Sequence, residues 1–105
     1  DAVQTMIFDE IDSGLGGETA ARVGEKLKLL GKDLQVFAVT HSPLVAVYAD
    51  HHYYIEKQEE EGRVVVKLFP LEKEDIRSEI ARMLSGDRNS TASLQQADEL
   101  LNSAK

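Results

Sequence analysis

The sequence predicts an α/β fold: a mostly parallel sheet with an edge hairpin, closed by C-terminal helices. Three observations carry this expectation. Two short apolar runs, Gln4–Phe8 and Gln35–Thr40, bracket a stretch of helical periodicity, which is the βαβ order. Two further strand-forming runs, Tyr53–Lys57 and Arg63–Phe69, flank a polar turn. Beyond them, apolar residues recur at three-to-four spacing to the end of the chain.

Each element has a local reason. The run Gln4–Phe8 is apolar without alternation, which suits a strand covered on both faces, and it ends in Asp9 and Glu10. Gly14, Gly16 and Gly17 mark a loop. A helix follows from Glu18 to Leu30, with Ala20, Val23, Leu27 and Leu30 on one stripe and Gly31 as its stop. The second strand, Gln35–Thr40, leads into His41, Ser42 and Pro43. Ser42 is placed to cap a short helix from Pro43 to Ala49, whose first position tolerates proline's missing donor. The hairpin at the sheet's edge turns at Glu59, Glu60, Glu61 and Gly62, a solvated tip, and Pro70 ends its second strand. Tyr53 and Tyr54 alternate, so one faces inward and one outward. A helix over Glu72–Leu84 buries Ile76, Ile80, Ala81, Met83 and Leu84 and closes at Gly86. After the polar connector Asp87–Ser90, a last helix runs from Thr91 to Leu101. The whole reads as a single unit over residues 1–105, with 72–105 a helical appendage.

Composition narrows the function classes. A chain of 105 residues supports one core, not a large two-domain enzyme. Lys and Arg number 12 against 19 Asp and Glu, a net charge of -7, which argues against a module that coats nucleic acid unaided. The absence of cysteine excludes disulfides, iron–sulfur clusters and thiolate zinc sites, and permits an intracellular setting. No apolar run reaches the roughly 18 residues of a membrane span, and no secretory signal pattern is visible. The chain opens on Asp1 and passes at once into a strand, which reads as an excised domain or fragment.

Asp9 and Glu10 stand at a strand C-terminus, the end of a parallel sheet that opens onto a ligand crevice. Asp9 is a hard oxygen donor suited to Mg²⁺, directly or through water, and Glu10 can orient or deprotonate an attacking water. The bland alternative is an acidic pair leaving a strand for solvent. Asp12 and Ser13 extend the polar edge, and Gly14, Leu15, Gly16 and Gly17 let backbone approach a ligand or partner closely, or simply form a flexible turn. His41 ends the second strand as Asp9 and Glu10 end the first, so it reaches the same crevice if the strands are neighbours. His51 and His52 lack metal-ligand spacing and read as surface or core-edge residues. No phosphate-cradling G-x-x-x-x-G-K-[ST] loop is present.

Taken in order, Thr5–Asp12, Ser13–Gly17, Val39–Pro43, Ala49–Tyr53 and Glu79–Gly86 resemble the C-terminal lobe of an ABC-type ATPase head, a P-loop NTPase. The resemblance is nearest to the RecN-like branch of bacterial DNA repair ATPases, relatives of the SMC proteins, and covers nearly the whole chain. It implies that Asp9 is the Walker B aspartate supporting Mg²⁺ and that Glu10 positions the hydrolytic water. Ser13, Gly14, Leu15 and Gly16 would then be the D-loop at a head-to-head interface, with His41 the switch histidine near the γ-phosphate. Transporters of this class commonly carry Pro-Thr after the acidic pair; Ile11, Asp12 and Gly16 stand here and favour the RecN-like branch. Leu84, Ser85 and Gly86 follow the histidine and are not the family's signature motif.

The resemblance implies ATP and Mg²⁺ as ligands of a complete head homodimer acting in DNA double-strand-break repair and recombination. It also implies a cytoplasmic, nucleoid-associated setting. The partners are an N-terminal head lobe carrying the phosphate loop, a second head, and DNA through the full assembly. This chain alone is expected to bind ATP weakly and to be inactive. Two other readings remain open at the level of sequence: a metal-dependent phosphoesterase using Asp9, Glu10 and Asp12, and a non-catalytic interaction module of ATPase-like fold.

Overall fold

A computed structural model of the chain describes residues 4–10 and 14–105. The element order is β1 (Thr5–Asp9), α1 (Gly17–Leu30), β2 (Gln35–Val39), α2 (Pro43–Ala46), β3 (Tyr53–Glu60), β4 (Arg63–Pro70), α3 (Lys73–Ser85) and α4 (Thr91–Ser103). The boundaries follow local chemistry. α1 stops at Gly31, whose N–H bonds back to the Leu27 carbonyl at 3.0 Å. α3 ends at Gly86 with φ 81°, the left-handed conformation that glycine adopts without a Cβ penalty. Ser90 caps α4 by accepting from the Ser93 N–H.

β1 and β2 pair in parallel, with Thr5 opposite Gln35 and Asp9 opposite Val39. β3 and β4 pair antiparallel, from Tyr53 opposite Pro70 to Glu60 opposite Arg63. The hairpin differs from expectation in two ways. It is not an edge of the parallel sheet: among the described residues the two pairs form separate two-stranded sheets. Its turn is also tighter than the acidic tip suggested. Glu59 and Glu60 stay in the ladder, and the chain reverses at Glu61 and Gly62, with φ of 50° and 77°. Two central residues of positive φ match the right-handed twist of a hairpin.

The core lies among helices. Val47, Ile80, Ala81, Ala97 and Ala104 form the buried cluster, with Ile76, Met83, Leu84, Leu94 and Leu100 packed around it. Ile80 is only 1% exposed. Arg77 joins α3 to α4 through a two-point contact with Asp98, at 2.7 and 3.0 Å. Lys28 Nζ donates to the Ala104 carbonyl at 3.0 Å, tying the C-terminal turn to α1. α1 meets α2 so closely that Gly24 lies directly against the Tyr48 ring.

The strands contrast with this core. The expected two-sided cover of the first strand is absent from the described structure: Ile7 is 73% exposed, and Met6 and Phe37 are exposed as well. On the hairpin, Val64, Val66 and Leu68 share one exposed face with Ile55 and Tyr53. Tyr54 is exposed too, so neither tyrosine is enclosed as alternation predicted. No helix among the described residues is long and apolar enough to cross a membrane.

Candidate functional site

The parallel register brings the ends of β1 and β2 level, because Asp9 pairs with Val39. Glu10 then donates its N–H to the Val39 carbonyl at 2.8 Å, extending the ladder by one bond. Here the chain bends sharply: Glu10 has φ 51°, a left-handed conformation that is costly for a residue with a Cβ. The bend carries the Glu10 side chain toward the end of β2. His41 Nε2 lies 2.7 Å from Glu10 Oε1. Two residues separated by an intervening helix thus meet because their strands pair in parallel and in register.

His41 is held from its backbone. Its side chain is 88% exposed, so packing contributes little to its direction. Thr40 Oγ1 accepts the Ser42 N–H at 2.9 Å, closing a tight turn about His41. Ser42 occupies the N-cap position of α2, but its side chain makes no capping bond there, contrary to the sequence expectation. The Ser42 carbonyl instead accepts the Ala46 N–H at 3.0 Å and starts the helix. Thr40 reads in sequence as the final residue of a strand, and its only prior signal is a hydroxyl adjoining a histidine.

Asp9 is the last residue of β1 and is exposed. Gly14, Leu15 and Gly16 are exposed in the loop before α1, and Gly14 has φ 80°. Asp12 and Ser13, predicted to extend the site, lie outside the described residues. His51 and His52 sit beyond α2, away from the strand ends, with His51 exposed and His52 half-buried.

A Mg²⁺ ion with a nucleotide is the ligand that the resemblance implies, and an exposed carboxylate such as that of Asp9 is the donor type such an ion takes. Mg²⁺ commonly takes one or two protein carboxylates and completes its shell with substrate phosphates and water. An exposed aspartate at a strand C-terminus suits that role. Among the described residues no group of three or more His, Cys, Asp or Glu side chains forms a self-contained metal site. The phosphoesterase alternative draws on Asp12, which lies outside the described residues.

Sequence comparison decides the kinship. Over 97 residues the chain is 46% identical to the DNA repair protein RecN of Deinococcus radiodurans, covering 92% of this chain. The chain is RecN-like over almost all of its length. It is 48% identical to RecN of Rickettsia bellii over 91% of the chain, and 43% identical to RecN of Treponema pallidum over 96%. It spans 17% of the Deinococcus protein and 18% of the other two. No family model matches the chain. Among solved structures, one from work on ATP-driven dimerization and DNA-stimulated activation of SMC ATPases aligns with a TM-score of 0.54 at 25% identity. It covers 71% of this chain and 44% of that one. The α/β character of the RecN-like chain and this SMC ATPase neighbour agree.

Proposed function

We propose that this chain is the C-terminal lobe of an ATPase head in a RecN-like DNA repair protein, a P-loop NTPase fold of the SMC type. On this reading residues 1–105 form one lobe, with 72–105 its helical extension. The observation that carries the proposal is the approach of Glu10 and His41, 2.7 Å apart at the level C-terminal ends of a parallel strand pair. RecN proteins at 43–48% identity supply the biological setting, DNA repair.

Within a complete site, Asp9 would hold Mg²⁺, which would supply positive charge to offset that of the nucleotide's phosphates. Glu10 would accept a hydrogen bond from water and align its oxygen with the γ-phosphorus. As the new P–O bond forms, the bond to the bridging oxygen breaks and ADP leaves with that oxygen's charge. The proton released by water passes to phosphate or solvent. His41 would face the γ-phosphoryl group while steadying Glu10. Catalysis of this kind is positioning and charge stabilisation. Ser13, Gly14, Leu15 and Gly16 would form the D-loop toward a second head.

An N-terminal lobe would bring the phosphate-cradling loop. The exposed apolar residues Ile7 and Phe37 on the parallel pair support such a partner, because exposed apolar area ordinarily marks contact surfaces. DNA contacts would belong to the whole assembly, since the net charge here is -7. That assembly would work in the cytoplasm at the nucleoid.

The test is steady-state ATP hydrolysis by the full-length protein carrying this segment. Glu10→Gln is expected to lower kcat by roughly a hundredfold or more while ATP binding persists. Unchanged turnover would remove Glu10 from the role given to it.

A further inference from the structure

We infer that Thr40 is a positioning residue for His41, and through it for Glu10. This rests on the proposed reading of Glu10 and His41 as the water-handling pair. The key observation is a well-placed side chain that packing does not hold. A largely exposed imidazole ordinarily samples several rotamers, and confining it costs entropy. His41 is 88% exposed, yet its Nε2 meets Glu10 Oε1 at 2.7 Å. The backbone around it must therefore set the direction from which the ring departs.

Both flanks of His41 are anchored. On one side the Val39 carbonyl accepts the Glu10 N–H at 2.8 Å, locking the end of β2 to the end of β1. On the other, the Ser42 carbonyl accepts from the Val45 and Ala46 N–H groups at 3.2 and 3.0 Å, fixing the start of α2. Thr40 Oγ1 joins the flanks by accepting the Ser42 N–H at 2.9 Å across the intervening histidine. A side-chain oxygen bonded two residues ahead imitates a backbone turn and restricts the residue it spans. The Thr40 hydroxyl thus limits the backbone freedom of His41, which is the freedom that would swing the imidazole away from Glu10. Valine preserves the β-branched shape of threonine and removes this acceptor; serine keeps the acceptor and loses the methyl group.

The experiment measures ATP turnover by the full-length protein as wild type, Thr40→Val, Thr40→Ser, His41→Ala, Glu10→Gln, and the Thr40→Val/His41→Ala pair. Thr40→Val is expected to lower kcat about tenfold, since small misplacements of reacting groups are costly, with KM for ATP held within about twofold. Thr40→Ser should restore kcat to within about twofold of wild type. Thr40→Val should cost nothing further once His41 is gone, because a group acting only through the imidazole has nothing left to position. Wild-type turnover in Thr40→Val would overturn the inference. So would a Thr40→Ser variant as impaired as Thr40→Val, or an equal loss with and without His41. If Glu10→Gln and His41→Ala both leave turnover intact, the reading of the site falls and the role of Thr40 with it. If those two reduce turnover and Thr40→Val does not, only the role of Thr40 falls.

Discussion

Glu10 occupies backbone space that residues with side chains normally avoid. Its φ of 51° costs on the order of 1–2 kcal/mol relative to an ordinary conformation. Strain of this kind persists where surrounding bonds over-determine it, and it concentrates at working sites. Here the Glu10 N–H is bound to Val39 and its carboxylate to His41, so both ends of the residue are engaged. A second histidine shows a different effect. Burial pushes the His52 imidazole below its ordinary pKa; a backbone hydrogen bond involving Ala49 opposes the shift, and the neighbouring His51 adds to it. The folded state therefore favours neutral His52, and the unfolded chain binds more protons in the window below the ordinary value of about 6.5. The stability from this group is fully present above that value and is lost as pH falls toward the folded-state pKa. Thermal unfolding followed from about pH 8 down to about pH 5 should show His52→Gln with a shallower loss than wild type. Parallel curves for the two proteins would contradict this assignment.

At the scale of elements, the contact between α1 and α2 governs where the histidine turn sits, because α2 begins directly after Ser42. Gly24 makes that contact possible. A Cβ at this position would lie 2.4 Å from Tyr48 Cδ2 and 3.2 Å from the Leu44 carbonyl oxygen. The tyrosine ring is itself restrained, since its hydroxyl donates to Glu25 at 3.3 Å. Gly24→Ala must then push the helices apart or turn the ring out, at a cost of about 1–3 kcal/mol, as for other overpacking changes. Chemical denaturation of the two proteins measures that difference directly. A Gly24→Ala protein as stable as wild type would show that the Tyr48 ring moves aside freely. Helix propensity favours alanine by up to about 1 kcal/mol, so a net loss would identify the steric contact as the stronger effect.

Across the whole molecule, burial is unevenly distributed. The enclosed cluster draws on Val47 and on α3, α4 and the C-terminal Ala104, while Ile7 and Val64 remain 73% and 72% exposed on the strands. The acid–histidine pair stands at the C-terminal end of the parallel strand pair, where Ile7, Met6 and Phe37 are exposed to solvent. On the proposed reading the site needs a second lobe to hold the nucleotide's phosphates. The isolated chain is accordingly expected to show no ATP turnover with Mg²⁺, and co-expression with the N-terminal lobe to restore it. Mg²⁺-dependent turnover by the purified chain alone, abolished by Asp9→Ala, would instead make the site self-sufficient.

The order of strands and helices, the stops at Gly31 and Gly86, the acidic strand end and the histidine after the second strand were all legible in the sequence. Periodicity and glycine or proline chemistry act over a few neighbouring residues, so they are written locally. Tertiary structure decided what local patterns do not encode. Parallel pairing of β1 with β2, in the register that sets Asp9 beside Val39, brought Glu10 within hydrogen-bond distance of His41. The Thr40 bracket and the Gly24–Tyr48 contact likewise depend on exact spatial approach. The hairpin sequence specified two strands and a reversal, but not the neighbour they would join; among the described residues they form a sheet of their own. An apolar run states that a strand seeks cover. Which surface supplies it is settled by long-range packing, and that is why the pairs were readable one residue at a time and the site only in three dimensions.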